Sequence, residues 1–457
     1  MKHRVWLWLA ASSLMLGSFA ARAQTRPQYG GTLRVNMRAA LSSLDPGDRT
    51  QPDSFDRRNL TGLIFETLVA SDESGRLHPA LAVDWEISPG SQRWKFRLRR
   101  DVKFHDGRAF TPEIAAASLR TANPAWNVFA EGDAVVIETS VAESELPAEL
   151  ALPRNAIVKR NADGALNGTG PFHIVDWQGG RKVSLAAEES YWGGRPFMDA
   201  IEIELGKSFH DQALSLQLGR AELVDVAAEQ SHRGAADGKQ VASSSPMELV
   251  ALVFGREAQS PEDKSLREAL ALSVERASIR SVLLQGAGEP AASILPDWMS
   301  GYGFVFPVDA DLVRARHLRE QVRTVPVWGL GYDANDPLAR LLAERVALNA
   351  RDAGLAVQPT VSATPDVRLV RIPLAGAGGR ISLAEVAGVL GLMRPQIGGD
   401  SAGELYSVER AMLDTNRIIP LFHLPVAYAA AANLKNWTPR SDGGWNLADA
   451  WLASGKP

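Results

Sequence analysis

The sequence has 457 residues, no cysteine and a formal net charge of −4. At about 150 residues per domain, this length indicates two or three domains. The negative balance and the lack of any run rich in lysine or arginine exclude a general polyanion binder, so we expect no nucleic-acid partner. The absence of cysteine excludes disulfides and thiolate metal sites.

The first 23 residues have the pattern of a targeting segment. A basic start precedes a mostly apolar run, and Ala21-Arg22-Ala23 is a small-x-small cleavage site. We expect cleavage after Ala23 to leave a mature chain that begins at Gln24 and is free in the periplasm. No cysteine follows the apolar run, so a membrane anchor is not expected. An uncleaved amphipathic N-terminus is the alternative.

Alternating and glycine-bounded segments predict strands in the first part of the chain. A glycine turn leads into a strand at 29–35. Apolar and charged residues alternate across 94–98, which indicates a strand with one buried face. Residues 102–107 predict a strand that ends in an Asp-Gly turn, and His105 there is expected on a polar surface turn. Thr111 and the proline after it predict a helix start, as N-cap and N1.

The stretch 167–194 predicts a β-hairpin closed by aromatic residues. A Gly-Thr-Gly-Pro turn precedes a strand from Phe172, and a Gly-Gly turn leads into the returning strand at 182–186. Tyr191 and Trp192 follow on another glycine turn. We expect Trp192 to serve folding and to contribute little to any ligand contact.

The second half predicts a strand–helix–strand unit and therefore a parallel α/β sheet. Residues 325–330 and 355–357 are the strands, and 336–354 is the helix between them. A single helix is predicted over 264–284, where apolar residues recur at helical spacing. Gly376–Gly379 lacks the spacing of a phosphate-binding loop and is interpreted as a flexible loop.

Several short motifs, in order along the chain, resemble those of the extracytoplasmic solute-binding proteins of the peptide/nickel class, family 5. The matching segments are GGTL and LDP near the start, then ETLV, PALA-x-x-W, FRLR, VKFHDG and FTPEIAAASL, then GTGPF, W-x-x-G and SYWGG, and finally SLREALALSVER with GAGEPA. Between residues 121 and 163 the sequence departs from the family. Only a strand at 134–138 and a segment at 153–158 are expected there, so the accessory subdomain is expected to be reduced.

The resemblance implies an α/β, two-lobed periplasmic-binding-protein-like fold of type II, in the large peptide-binding cluster. The implied organisation is a signal peptide at 1–23, lobe 1 at 24–250 and 424–457 with the reduced accessory subdomain at about 50–165, and lobe 2 at 251–423. A strand at 249–254 is the expected crossing into lobe 2.

The implied function is ligand capture in the cleft between the lobes and delivery to ABC permease subunits of the inner membrane. The ligand would be a peptide or another small solute, and the protein a monomer without catalytic residues, metal or cofactor. The candidate ligand contacts are Arg38, Trp298, Tyr302, Trp328 and His423. Two alternatives stay open: a degenerate member that acts as a sensor or scaffold through protein contacts, and an exported hydrolase.

One family segment is missing from this sequence. Peptide-binding relatives carry a W-x-x-D element whose acid holds the free amine of the peptide, and no such element is found between Arg368 and Leu392. Burial of an ammonium group without a paired acid is costly. A cleft lined by Arg38 and His423 is instead expected to favour a neutral or acidic solute.

Overall fold

A computed structural model describes residues 26–453 except residues 73, 232–239, 304, 377, 396 and 398–400. The predicted signal peptide at 1–23 lies outside these residues. The strands are β1 (Thr32–Asn36), β2 (Val69–Ser71), β3 (Leu77–Pro79), β4 (Ala82–Ile87), β5 (Arg93–Leu98), β6 (Asn127–Glu131), β7 (Ala134–Glu138), β8 (Lys159–Arg160), β9 (Leu166–Asn167), β10 (Phe172–Gln178), β11 (Lys182–Ala187), β12 (Ala200–Glu204), β13 (Leu223–Val226), β14 (Gln240–Phe254), β15 (Glu289–Pro290), β16 (Val327–Gly331), β17 (Ala356–Thr360), β18 (Val367–Pro373), β19 (Ile418–Ala430), β20 (Leu434–Lys435) and β21 (Trp451–Leu452).

Helices cover the sheets and fill the connections between strands. They are α1 (Phe55–Gly62), α2 (Pro112–Ala122), α3 (Leu146–Leu150), α4 (Phe209–Gln217), α5 (Pro261–Ser273), α6 (Arg276–Val282), α7 (Asp297–Ser300), α8 (Leu312–Glu320), α9 (Pro337–Asp352), α10 (Gly379–Val389) and α11 (Ala402–Leu413), with 3₁₀ turns at Pro153–Asn155 and Ala228–Gln230. Thr111 caps α2 as predicted, because its side chain accepts a hydrogen bond from the Ile114 N–H.

One large sheet runs through both lobes. Its strand order is β10-β11-β12-β1-β13-β19-β14-β18-β16-β17, with β15 added beside β19. The two long strands β14 and β19 pair with each other along most of their length; the lobe 1 half of β19 also pairs with β13, and the lobe 2 half of β14 also pairs with β18. The predicted lobe boundaries, 250/251 and 423/424, fall within these two strands. The two-lobed α/β architecture is confirmed.

Lobe 1 has the predicted hairpin at its edge. β10 and β11 pair antiparallel, and β12, β1 and β13 continue the sheet as parallel neighbours. Alternating side chains from these strands, such as Leu33, Val35, Ile201 and Ile203, are buried against α1 in one apolar core.

The accessory subdomain is an antiparallel sheet of order β4-β5-β7-β6, packed on α2 and α3. It retains more structure than predicted, since β6 and α3 also lie between residues 121 and 163.

The strand predicted at 102–107 is wrong: this segment is a turn with one isolated bridge between Lys103 and Ala109. The preceding strand, β5, is paired on both sides, with β4 and with β7.

Lobe 2 contains the predicted parallel unit, in which β16 pairs in parallel with both β17 and β18. The single helix predicted over 264–284 is wrong, because the backbone of Val274 is extended and separates α5 from α6. The buried guanidinium of Arg276 donates two hydrogen bonds to the Pro420 carbonyl and holds the start of α6 against β19. Both helices keep their apolar faces on one core, so the spacing pattern did not reveal the break.

Candidate functional site

Two large cavities lie where lobe 1 meets lobe 2. The first, which we call the arginine chamber, has a volume of about 770 Å³. Three parts of the fold enclose it: the loop 46–53 with α1 from lobe 1, residues 149–154 with the end of α2 from the accessory subdomain, and β18 with residues 384–394 from lobe 2. Its charged lining is Asp48, Arg49, Asp53, Arg57, Arg58, Glu149, Arg154, Arg371, Glu385 and Arg394.

Ion pairs across the arginine chamber join the accessory subdomain to lobe 2. Glu149 is 4% exposed and lies 2.7 Å from both Arg154 and Arg394. Burial alone would raise the pKa of Glu149, but the two guanidinium groups outweigh it and lower the pKa. Arg154 also pairs with Glu385 of α10, and Arg380 of α10 pairs with Glu145. These ion pairs connect α3 and the 3₁₀ turn after it with α10 and the segment that follows α10.

Apolar contacts also join the accessory subdomain to lobe 2. Ala148 and Leu152 of the accessory subdomain pack against Ala375 and Ile381 of lobe 2 in a small buried cluster. Arg58 of α1 adds polar contacts, since it donates hydrogen bonds to the Leu374 and Pro373 carbonyls, 2.7 and 3.2 Å away. Lobe 2 therefore contacts both lobe 1 and the accessory subdomain.

The second cavity, the carboxylate chamber, has a volume of about 790 Å³. Its lobe 1 wall is formed by the ends of strands β1, β12 and β13. Its lobe 2 wall is formed by the loop before α9 and by parts of β14 and β18. Its charged lining is Arg38, Asp56, Lys207, Asp225, Glu248, Asp333, Asp336 and Arg371. Arg371 lines both chambers.

Asp56 and Asp225 form a close acidic pair in the lobe 1 wall of the carboxylate chamber. Asp225 accepts a hydrogen bond from the Arg38 backbone N–H at 2.8 Å, and Asp56 accepts one from the Ala39 N–H at 2.7 Å. Burial raises the pKa of both carboxyls, and for Asp225 the nearby Asp56 charge adds to the rise. The pair fixes the loop after β1, and the Oδ1 atom of Asp225 is buried without a hydrogen-bond partner among the described residues.

The lobe 2 wall of the carboxylate chamber is held by ion pairs. Asp336 caps α9 through the Leu338 N–H and accepts a hydrogen bond from Arg371 at 2.9 Å. Arg371 also binds Glu248 at 2.7 Å. Although burial would raise the pKa of Asp336, Arg371 and Arg38 lower it, so this acid stays ionised.

Of the five candidate ligand contacts, Arg38 lines the carboxylate chamber. Its guanidinium lies 5.1 Å from the centre of the Phe209 ring and 3.7 Å from Asp336 of lobe 2. Arg38 therefore bridges the two lobes. Its contact with a ligand stays a prediction.

The other four candidates are not among the residues that line either chamber. Trp328 is buried edge-on against Phe254 in the lobe 2 core. His423 is fully buried on β19, where its Nε2 lies 2.9 Å from the Ile294 carbonyl. Burial lowers the pKa of His423 to about 4. We assign packing roles to these two residues, because each is buried in lobe 2 with its partners.

Trp298 and Tyr302 lie near α7. Trp298 is 45% exposed, with its indole N–H 3.4 Å from the Pro246 carbonyl. Tyr302 donates a hydrogen bond to Glu409 and packs on Phe306 and Tyr406. Neither side chain lines a chamber, so their predicted ligand contact has no support in the geometry.

The segment between Arg368 and Leu392 contains no W-x-x-D element, but it does contain an acid. Glu385 lies in this segment and lines the arginine chamber, where Arg154 and Arg58 already pair with it. No local motif marks Glu385 as a site residue in the sequence. The same holds for Arg49, Arg57 and Arg394, which are single arginines in unremarkable contexts.

His105 holds the turn of the GTGPF motif. Its Nε2 lies 3.0 Å from the Gly170 carbonyl, and its Nδ1 accepts a hydrogen bond from the Gly168 N–H at 3.3 Å. The predicted turn is present, and His105 is half-buried there with both ring nitrogens in contact with the GTGPF backbone. Within the described ranges, no group of three or more His, Asp or Glu side chains is placed to hold a metal ion, and no helix has the length and apolar character needed to cross a membrane.

Comparison with known families and proteins gives consistent matches. The model of the bacterial extracellular solute-binding proteins, family 5 (middle region), matches residues 76–369, more than half of the chain. The nickel-binding protein NikA of Staphylococcus aureus is 27% identical over 247 residues, 51% of this chain and 50% of that protein. The dipeptide-binding protein of Escherichia coli is 26% identical over 333 residues, 61% of this chain and 62% of that protein. The chain thus spans between half and about two thirds of the length of these relatives.

Solved structures show the same fold. NikA from Staphylococcus aureus in complex with Ni(L-His)2 superposes with a TM-score of 0.77 at 18% identity, covering 92% of this chain and 100% of that chain. AppA from Bacillus subtilis in complex with a nonapeptide superposes with a TM-score of 0.77 at 17% identity, covering 94% and 100%. The motifs, the fold and the family model agree, and the chain belongs to the bacterial extracellular solute-binding proteins of family 5.

Proposed function

We propose that this protein is the periplasmic substrate-binding component of an ABC importer. It captures a small solute in the arginine chamber and delivers it to permease subunits of the inner membrane, acting as a monomer. The family supports the role, and the names of its relatives include nickel-, dipeptide- and oligopeptide-binding proteins.

The observation that carries the proposal is the construction of the arginine chamber from three parts of the fold. Its volume of about 770 Å³ is in the range of small-molecule sites. Its walls come from lobe 1, the accessory subdomain and lobe 2, so relative movement of the lobes opens and closes it. A ligand that touches all three walls favours the closed arrangement, because it binds that arrangement better than the open one.

Gly388 allows a direct test of the site. It lies on α10 and lines the arginine chamber, and a Cβ atom added there meets no atom within 4 Å. Gly388→Leu should therefore fill part of the chamber without disturbing the packing. Gly403→Leu is the matched control, because Gly403 lies on α11, lines neither chamber and also has open space around it.

The experiment is native mass spectrometry of the protein purified from the periplasm, followed by calorimetry with the solute that co-purifies. We expect the wild type and Gly403→Leu to retain the solute and Gly388→Leu to lose it. Retention by Gly388→Leu would place the solute elsewhere. The absence of any co-purifying solute and of any thermal shift with small solutes would overturn the proposed function.

A further inference from the structure

We infer that the solute of the arginine chamber is a small anion with at least two negative charges, bound between Arg49 of lobe 1 and Arg394 of lobe 2. This inference rests on the proposed function and names the chemical class of its ligand. It follows from the charges that line the chamber and from the partners that each charge already has.

The acids of the chamber are already neutralised or engaged. Glu149 pairs with Arg154 and Arg394, and Glu385 with Arg154 and Arg58. Asp53 pairs with Arg58. A cationic ligand group would have to displace an arginine from one of these pairs. The remaining acid, Asp48, accepts hydrogen bonds from the Thr50 backbone N–H and hydroxyl within its own turn.

The arginines of the chamber outnumber its acids, six to four. Arg371 accounts for one of the two extra positive charges, but Glu248 and Asp336 balance it from the carboxylate chamber. Arg57 and Arg49 remain. Among the described residues, neither has a carboxylate oxygen within 4.0 Å. A positive charge enclosed without a counter-ion favours an anion in the adjoining space.

Arg57 supplies charge and a rigid support for the loop. It is 7% exposed, and its guanidinium donates to the Gln51, Asp45 and Asp48 carbonyls at 3.1, 2.9 and 2.6 Å. These bonds fix the loop that carries Arg49. The loop therefore presents Arg49 to the chamber in a defined position.

Arg49 and Arg394 have donors available for a ligand. Arg49 is exposed and makes one hydrogen bond, to the Ala122 carbonyl at 3.0 Å. Arg394 is 50% exposed, and its one hydrogen bond among the described residues goes to Glu149. Each guanidinium has five N–H donors in a planar fork that suits carboxylate or phosphate. Since the two arginines lie on opposite lobes, one dianion that contacts both holds the lobes together.

The test uses calorimetry and thermal shift on the full protein after removal of co-purified solute. The probes are glutarate, its diamide, the diamine of the same chain length, and glycerol phosphate, which distinguishes a phosphate from a carboxylate ligand. We expect glutarate or glycerol phosphate to bind and the diamide and diamine not to bind. Arg49→Gln and Arg394→Gln should each weaken anion binding about tenfold or more.

Arg314→Gln is the matched control. Arg314 is 60% exposed on α8, pairs with Glu268 and lines neither chamber, so its loss should leave the affinity unchanged. Binding of the diamine or diamide in preference to the anions, or a cationic or neutral solute found by native mass spectrometry, would overturn the inference and leave the receptor function standing. Anion binding that is unaffected by both arginine substitutions would also overturn it.

Discussion

The indole N–H of Trp192 donates a hydrogen bond to Glu66 at 2.8 Å. The same carboxylate accepts hydrogen bonds from the Tyr191 and Thr169 hydroxyls, both at 2.8 Å. Burial raises the pKa of Glu66, although these three bonds oppose the rise. One acid from the ETLV motif thus joins the GTGPF turn to the SYWGG turn, so three segments that are distant in sequence form one structural unit.

Trp192→Ala should destabilise the protein by about 3 kcal/mol, the low end for loss of a tryptophan, because the ring is half-buried. The ring also packs beneath the Arg99 guanidinium, 4.4 Å from its centre. The measurement is urea unfolding. Trp298→Ala is the control and should change the free energy of unfolding by under about 0.5 kcal/mol, since Trp298 is exposed. An unchanged unfolding midpoint for Trp192→Ala would contradict its structural role.

Gly168→Ala should prevent stable folding. A Cβ atom at Gly168 would lie 1.8 Å from the Ile64 carbonyl oxygen, a backbone atom that cannot move aside. The cost should exceed about 4 kcal/mol, which few single substitutions reach. Gly62→Ala is the control, because a Cβ there meets nothing within 4 Å at the end of α1. Circular dichroism and yield of soluble protein check both variants. A folded Gly168→Ala protein would show that the turn lies farther from α1.

Glu149→Gln should weaken closure of the arginine chamber. It removes the buried carboxylate that Arg154 and Arg394 share, at a cost of about 1–3 kcal/mol, because the two guanidinium groups are 38% and 50% exposed and Arg154 keeps its pair with Glu385. The control Glu131→Gln breaks exposed pairs with Arg93 and Lys95 and should leave the free energy of unfolding almost unchanged, because solvent screens these charges. Small-angle scattering should show a larger radius of gyration for Glu149→Gln alone. The same radius for both variants would mean that the ion pairs do not hold the lobes.

His423 should make the protein less stable in acid. Burial lowers its pKa to about 4 in the folded protein, whereas the unfolded chain takes up the proton near its ordinary value of about 6.5. The stability that the neutral ring provides is therefore complete above about pH 6.5 and falls as the pH drops towards 4, by about 3 kcal/mol in total.

His423→Gln tests this pH dependence, because the glutamine amide can still donate to the Ile294 carbonyl but does not titrate. The free energy of unfolding is measured by urea titration at several pH values between about 7.5 and 5. The wild type should lose stability more steeply than the variant over this range. Equal slopes would show that His423 is not the group responsible.

The amino-acid sequence alone determined the family and many of the local elements. Glycine turns, alternating strands and the Thr111–Pro112 cap depend on neighbours a few residues apart, so the hairpin, α2 and the parallel unit of lobe 2 could be predicted from local pattern. The break between α5 and α6 could not be predicted from the local pattern. It depends on the contact of Arg276 with Pro420, a residue far away in the sequence.

The tertiary structure alone decided which side chains face the chambers. Trp328 and His423 have residue types that suit a ligand, but packing places them in the lobe 2 core. Arg49, Arg57 and Arg394 carry no local signal, and they line one cavity because the loop 46–53 with α1 faces the segment after α10 across it. A cavity between lobes is made by long-range contacts, and the charge that it presents depends on which ion pairs form when the chain folds.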